Sequence, residues 1–211
     1  MQRELRRGFG RWGLPASVRV DNGGPWGSWG DLPTPTALWL IGLGIAVIWN
    51  PPRTPQDNGV VERSQGTAAA WAEPERCRDA AELQRRLDEE DRVQREAYPH
   101  AGLASRMAAY PGLAHSGRRF DPAWERAHWS WAAALAHLAG YAVPRRVDGS
   151  GKVGVYGDKL YVGTANRWKE VVVQFDAGAC EWAISDPAGV ELCRRPLTQF
   201  DEARLRRLPT R

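Results

Sequence analysis

A chain of 211 residues, 43% hydrophobic and 26% charged, has the make-up of a globular protein with one or two cored domains. Its net charge of +4 is mildly basic, which admits nucleic acid as a partner without implying it. Three cysteines, Cys77, Cys180 and Cys193, form no CxxC pair, which sets aside a structural zinc site and points to a reduced, cytoplasmic compartment. Arg3, Glu4, Arg6 and Arg7 leave no apolar signal-peptide core at the start. The longest apolar run, Ala37 to Trp49, falls short of the ~20 residues that span a bilayer, so no membrane partner is expected. Eleven tryptophans are many, and most should be buried or half-buried.

In chain order, Gln2 to Trp12 reads as a basic helix, and Val18 and Val20 alternate about Arg19 as in a strand. Gly23 to Leu32, rich in Gly and Trp, reads as loop. Thr34 is placed to cap a helix with Pro35 in its first turn, running through Leu38, Trp39 and Ile41 and failing at Gly42 or Gly44. Ile45 to Trp49 reads as a buried strand of an α/β layer. Asn58 stands where an N-cap would, before a helix from Gly59 to about Trp71 that Pro74 interrupts. Asp79 and Glu82 form a capping box for a largely solvated helix ending near Ala97. Tyr98 to Gly117 reads as an irregular connection. Asp121-Pro122 opens one helix to Gly140, with Trp124, Trp131, Leu135 and Leu138 on its apolar face and Trp129 off it. From Lys152 the period changes to two. Five short strands, an Asp186-Pro187-Ala188-Gly189 turn and a closing helix from Asp201 to Leu208 predict a small barrel.

Two segments carry candidate chemistry. Val18-Arg19-Val20-Asp21-Asn22-Gly23 is a strand that ends in a carboxylate and a turn. Thr54-Pro55-Gln56-Asp57-Asn58-Gly59-Val60-Val61-Glu62-Arg63 is a loop that opens a helix with a carboxylate in its first turn, where the helix dipole favours negative charge. Two acids on element ends, without His or Cys beside them, suit a hard Mg²⁺ or Mn²⁺ ion. Either segment alone is better explained as a common turn or a common helix start. The two in order, with the Pro-Gln-Asp-Asn-Gly loop between them, point to a metal site.

These residues resemble the retroviral-type integrase core of insertion-sequence transposases, the DDE polynucleotidyl transferases. Val20-Asp21-Asn22-Gly23 is similar to the strand with the second acid of that triad, and Gln56 to Arg63 to the loop and helix with the third. The resemblance runs on through the Ala142-Val143-Pro144-Arg145-Arg146-Val147 junction and the β-rich tail. It implies an α/β fold in three parts. Residues 1–100 would be the back half of a ribonuclease-H-like core, residues 101–143 a helical connector, and residues 144–211 a small Src-homology-3-like β-barrel. It also implies DNA integration by divalent-metal-dependent strand transfer, two in-line displacements at phosphorus with Asp21 and Glu62 as two of three ligands to a pair of ions. The family's first Asp lies on a strand before the helix that leads to Asp21. Here Glu4, Asp31 and Asp57 are the nearby acids, and none is on such a strand. The chain is therefore expected to be an N-terminally truncated transposase, or one whose coding sequence starts upstream of Met1, and to be inactive alone.

DNA would be the main partner. Asn22, Gln56 and Asn58 are candidates to contact it or to orient a metal-bound water, with turn and cap formation as the other account, favoured for Asn58. Arg63 and Gln65 either reach a phosphate or base edge, or line a solvated helix face. Arg145, Arg146, Lys152 and the Arg204, Arg206, Arg207 tail either neutralise phosphates or only solubilise. A homo-oligomer or an intact transposase is the expected protein partner. The alternative function is a non-catalytic DNA-binding or transposase-interaction fragment. The four histidines show no HxxxH spacing and read as structural.

Overall fold

The structure, a computed structural model, describes residues 1–24, 26–27, 32–51 and 59–207. Among these it is a mixed helix and sheet protein. In order come α1 (Gln2–Trp12), β1 (Ser17–Val20), α2 (Pro35–Gly42), β2 (Ala46–Trp49), α3 (Gly59–Ala72), α4 (Ala80–Glu96) and α5 (Arg106–Ala109). Then follow α6 (Pro122–His128), α7 (Trp131–Ala139), β3 (Ala142–Arg146), β4 (Lys152–Val155), β5 (Asp158–Tyr161), β6 (Glu170–Asp176), β7 (Glu181–Ser185), β8 (Glu191–Pro196) and α8 (Glu202–Arg206). The chain divides into two compact units. One holds Met1–Arg3, Ala16–Trp49 and Pro122–Arg211, and the other holds Glu4–Pro15 and Asn50–Asp121. Among the described residues no helix is long and apolar enough to cross a membrane.

The first unit is built around α2. Thr34 caps it as the sequence predicts, accepting from the Ala37 amide at 3.2 Å with Pro35 next in line. Ala37, Leu38, Trp39 and Leu40 are all buried, because a helix this apolar on every side needs cover all round. β1 and β2 pair in parallel, Val18 opposite Val47 and Val20 opposite Trp49. β2 departs from the buried strand expected of it: Val47 and Trp49 are half-buried and Ile48 is exposed. Only Ile45, just before the strand, is fully covered. The reason is the extent of the sheet. Two described strands give each other one neighbour apiece, whereas a parallel strand is buried when both faces are layered.

The single helix expected from Asp121 to Gly140 is two. It breaks at Trp129, and Ser130 caps α7 by accepting from the Ala133 amide at 3.0 Å. The break resets the helical phase, so the apolar face is not the one counted from Trp124. Trp129 is buried and its indole N–H donates to the Trp39 carbonyl at 2.9 Å. Trp124 instead stacks on His128, with ring centroids 4.6 Å apart. Trp39 in turn donates its indole N–H to the buried Glu125 carboxylate at 3.0 Å. Gly42 makes the clasp possible: a Cβ there would lie 2.4 Å from the Trp129 ring, and the Gly42 carbonyl accepts from the Ser130 amide at 2.8 Å.

The five strands expected from Lys152 onward form as β4 to β8, and Ala142–Arg146 adds a strand before them. β3, β6, β7 and β8 form an antiparallel sheet in that order, and β4 and β5 form a separate antiparallel ladder. Among the described residues these ladders do not close into a barrel. Val143, Val171, Val173, Phe175, Trp182 and Ile184 fill the inner face. Trp182 donates its indole N–H to Gln199 at 2.9 Å and meets Phe175 edge to face at 5.1 Å. Tyr156 donates its hydroxyl to the Pro33 carbonyl at 2.6 Å, and burial pushes its phenol above the ordinary value. The Asp186 to Gly189 turn forms as read, its carboxylate accepting from the amides of Ala188 and Val190.

Asp148 organises the turn before β4. It accepts from the Ser150 hydroxyl at 2.7 Å and the Lys152 amide at 3.0 Å, and pairs with Lys159 at 3.1 Å. The Ser150 hydroxyl first, then the Lys152 amide, hold its carboxyl well below the usual carboxylate range. A lowered pKa makes the ionised form the stabilising one. Its contribution is present above the unfolded value of about 3.9 and is lost only as pH falls through the folded value. The Ser150 and Lys152 amide resonances are therefore expected to hold their positions through pH 4 in an NMR titration. Resonances that move with a midpoint near 4 would refute this arrangement.

The second unit is helical and thinly covered. Phe9 meets Phe120 edge to face at 5.7 Å, and Trp12 lies under the guanidinium groups of Arg11 and Arg95 at 4.4 and 3.9 Å. α4 buries no residue and is laced with ion pairs, Arg78–Glu82 and Arg92–Glu89 among them, as a solvated helix should be. Its cap is half the expected box. Asp79 accepts from the Glu82 amide at 2.8 Å, but the Glu82 carboxylate returns to the Arg78 amide rather than to that of Asp79.

Candidate metal and nucleic-acid site

Asp21 directly follows β1 and is exposed. One of its carboxylate oxygens accepts from the Gly23 amide at 3.1 Å, an Asx turn that leaves the other oxygen toward solvent. The amides of Trp26 and Gly27 both return to the Gly23 carbonyl, so the chain folds tightly after the acid. Gly27 is needed here, because a Cβ would lie 2.5 Å from the Asn22 backbone. The Trp26 carbonyl then accepts from the Thr34 hydroxyl at 3.0 Å and from the Trp49 indole at 3.4 Å. Thr34 thus caps α2 and fastens the Asp21 loop with one hydroxyl. Because β1 and β2 are parallel, the chain leaves both strands at one end of the sheet, the place where open α/β sheets take ligands. Trp49 stacks on His137 there at 6.4 Å, and Tyr141 lies 3.2 Å from the same imidazole. Burial lowers the His137 pKa and raises that of Tyr141, so both are neutral packing partners at neutral pH.

Glu62 lies in the first turn of α3, as predicted, and belongs to the second unit, whereas Asp21 belongs to the first. Glu62, Arg63 and Gln65 are all exposed. Ala72 is the buried residue of this helix, while Val60, Val61 and Trp71 stand in solvent. A helix of mean polarity this low, with so little covered, is held by α4 and by its own backbone rather than by a core. Gln56, Asn58, Asp31 and Asp57 lie outside the described residues, as does Leu208. Among the described residues no group of three or more His, Cys, Asp or Glu side chains is placed to hold a metal ion. Asp21 and Glu62 have the oxygen chemistry a hard cation takes, but two carboxylates do not by themselves complete a two-ion centre.

Arg145, Arg146 and Lys152 all lie in the β-rich part of the first unit. Arg145 is half-buried and donates to the Gly154 and Pro144 carbonyls. Arg146, on the opposite face of β3, is exposed and donates to the Trp168 carbonyl at 3.2 Å. Lys152 is half-buried at the start of β4. In the tail, Arg204 donates to the Gln199 carbonyl and Arg206 pairs with Glu202. A guanidinium has five donors, so these internal bonds leave capacity for phosphate at the exposed positions, Arg146 above all.

Two features of this region were not legible in the sequence. One is the fastening of the Asp21 loop through Trp26, Thr34 and Trp49, which depends on a carbonyl and carries no residue-type signal. The other is the buried Glu125, whose partner is Trp39, distant in the chain. Compared with models of known protein families, the chain matches none.

Proposed function

We propose that this chain acts in DNA integration, as a transposase or integrase of the DDE type to which Asp21 and Glu62 contribute two carboxylates. The observation that carries the reading is the run from β1 to α3. A strand ending in Asp21, a buried helix, a second strand parallel to the first, and a helix with Glu62 in its first turn occur in the order the resemblance requires. In this reading residues 1–100 hold the ribonuclease-H-like half-core, and the β module beyond residue 144 plays the part of the Src-homology-3-like domain. Mg²⁺ or Mn²⁺, when bound, supplies Lewis-acid activation of phosphorus and of the attacking oxygen. The chain's own part is to present exposed carboxylates on fixed backbone. The Asx turn and the Trp26–Thr34–Trp49 fastening hold Asp21, and the helix start holds Glu62 where its charge is favoured. The cytoplasm, with DNA at hand, is the compartment this activity needs.

A second reading, a DNA-binding or transposase-interaction chain without catalysis, is favoured by one observation. Exposed cations, Arg146 above all, stand at the edge of the β module, and such cations take phosphate without any catalytic step. Both readings require DNA binding driven by counterion release. Affinity for duplex DNA, measured by fluorescence anisotropy, is expected to fall steeply between low and physiological salt. Arg146→Gln should lower both the affinity and the slope of that dependence. An affinity indifferent to salt would remove both readings. Metal-dependent strand transfer separates them.

A further inference from the structure

Trp168 is the most exposed tryptophan among the described residues, at 62%. Its backbone is in the left-handed region at φ +65, which a bulky residue adopts only when its surroundings enforce it. The enforcement is visible. The Trp168 amide donates to the Val147 carbonyl at 2.9 Å, and the Val147 amide donates to the Lys169 carbonyl at 3.0 Å. Val147 is fully buried, so this pair of bonds fastens the peptide of Trp168 to the core of the β module. The indole lies against Gly149, where a Cβ would come within 2.9 Å of the ring. Glycine on one side and solvent on the other leave an aromatic surface open in a preset orientation.

Three cations stand around it. Arg167 and Lys169 flank the ring in sequence, both exposed, and Arg146 reaches the Trp168 carbonyl from β3. None of the three forms an ion pair among the described residues. Glu170 stands opposite Arg146 in the ladder, and the nearby Asp148 is already committed to Ser150, Lys152 and Lys159. A strained, outward aromatic ring within a cluster of unpaired cations matches the way proteins hold single strands: cations follow the phosphates and the ring stacks on a base.

We propose that Trp168, with Arg146, Arg167 and Lys169, is a stacking platform for an unpaired base of a nucleic-acid strand. It rests on the DNA-integration reading, in which strand ends are exposed, and it adds to that reading a site for single-stranded rather than duplex DNA. Stacking on one aromatic ring is worth about 5- to 150-fold in affinity per base. A labelled single-stranded oligothymidylate, titrated with the full chain and read by anisotropy, is therefore expected to bind Trp168→Ala at least about fivefold more weakly than the unaltered chain. Trp168→Phe should regain most of that loss. Trp168→Gly should melt no earlier than the unaltered chain, because glycine relieves the strained φ, yet bind as weakly as Trp168→Ala. A blunt duplex offers no free base, so its affinity should change little in Trp168→Ala while falling in Arg146→Gln and Arg167→Gln.

Equal oligothymidylate affinity in Trp168→Ala and the unaltered chain overturns the platform. So does an equal loss on oligothymidylate and duplex with no recovery in Trp168→Phe. Loss of a dimer in Trp168→Ala, without any change in oligonucleotide affinity, also overturns it and assigns the ring to a protein interface. The integration reading fails separately. Salt-insensitive duplex binding, or strand transfer that does not depend on Asp21, removes it even where Trp168 proves to stack.

Discussion

Asp21→Asn and Glu62→Gln are each expected, on the proposed integration reading, to slow DNA strand transfer with Mg²⁺ or Mn²⁺ by at least about 10²–10³-fold. That factor is what the loss of one fixed electrostatic stabiliser commonly costs. In a paired-ion site each carboxylate helps to hold the metals, so removing one charge weakens their binding and leaves the charge developing at phosphorus poorly compensated. Either change removes a charge and keeps the side chain's shape. The Asx turn survives in Asp21→Asn, because an amide oxygen still accepts from Gly23, so a loss there reads the charge and not the fold. Comparable, metal-dependent product from the unaltered and the substituted proteins would show that the acids have been wrongly assigned.

Trp129→Ala is expected to destabilise the first unit by about 3–5 kcal/mol, the range for removing a large buried aromatic ring. The ring is buried, and its indole N–H is the donor that the Trp39 carbonyl receives across the clasp. The Trp39 carbonyl keeps the Leu43 amide as a donor, so the cavity dominates the cost. Gly42→Ala approaches the same contact from the other side. A methyl group placed 2.4 Å from the ring must push it out of position, an overpacking cost of about 1–3 kcal/mol. The two changes should be less than additive, since once the ring is gone the methyl group has nothing to push. Trp124→Ala is the control. That ring stacks on His128, which is exposed, and its removal should cost less than about 1 kcal/mol. Urea unfolding checks all four proteins. If Trp124→Ala and Trp129→Ala lost the same stability, Trp129 would not be the anchor.

Local chemistry was legible wherever a structural choice is made within a few residues. Thr34-Pro35, Asp79 with Glu82, and Asp201 marked helix starts, because a side-chain oxygen satisfies an amide two or three positions ahead and needs nothing from the rest of the chain. Asp186-Pro187-Ala188-Gly189 marked a turn for the same reason. Asp21 and Glu62 could be placed at a strand end and a helix start on these grounds. Which compact unit each belongs to could not, because that depends on how whole elements pack.

What the sequence by itself determined is therefore the set of elements and the chemical character of the candidate site. It specified a mixed helix and sheet chain, two exposed carboxylates on element ends, and arginines at the edge of the β-rich tail. The tertiary structure decided the rest. It drew Ala16–Trp49 into one unit with Pro122–Arg211 across an intervening helical segment. Trp39, Gly42 and Trp129 fit one another in shape, and shape complementarity between distant segments leaves no periodic trace in either. It broke the expected long helix at Trp129 for that same fit, and so exchanged Trp129 for Trp124 in the core. It left β2 half-covered, because the burial of a strand depends on neighbours that its own residues do not specify. It turned Trp168 outward, because two backbone bonds to Val147 hold a conformation that no side-chain preference would select.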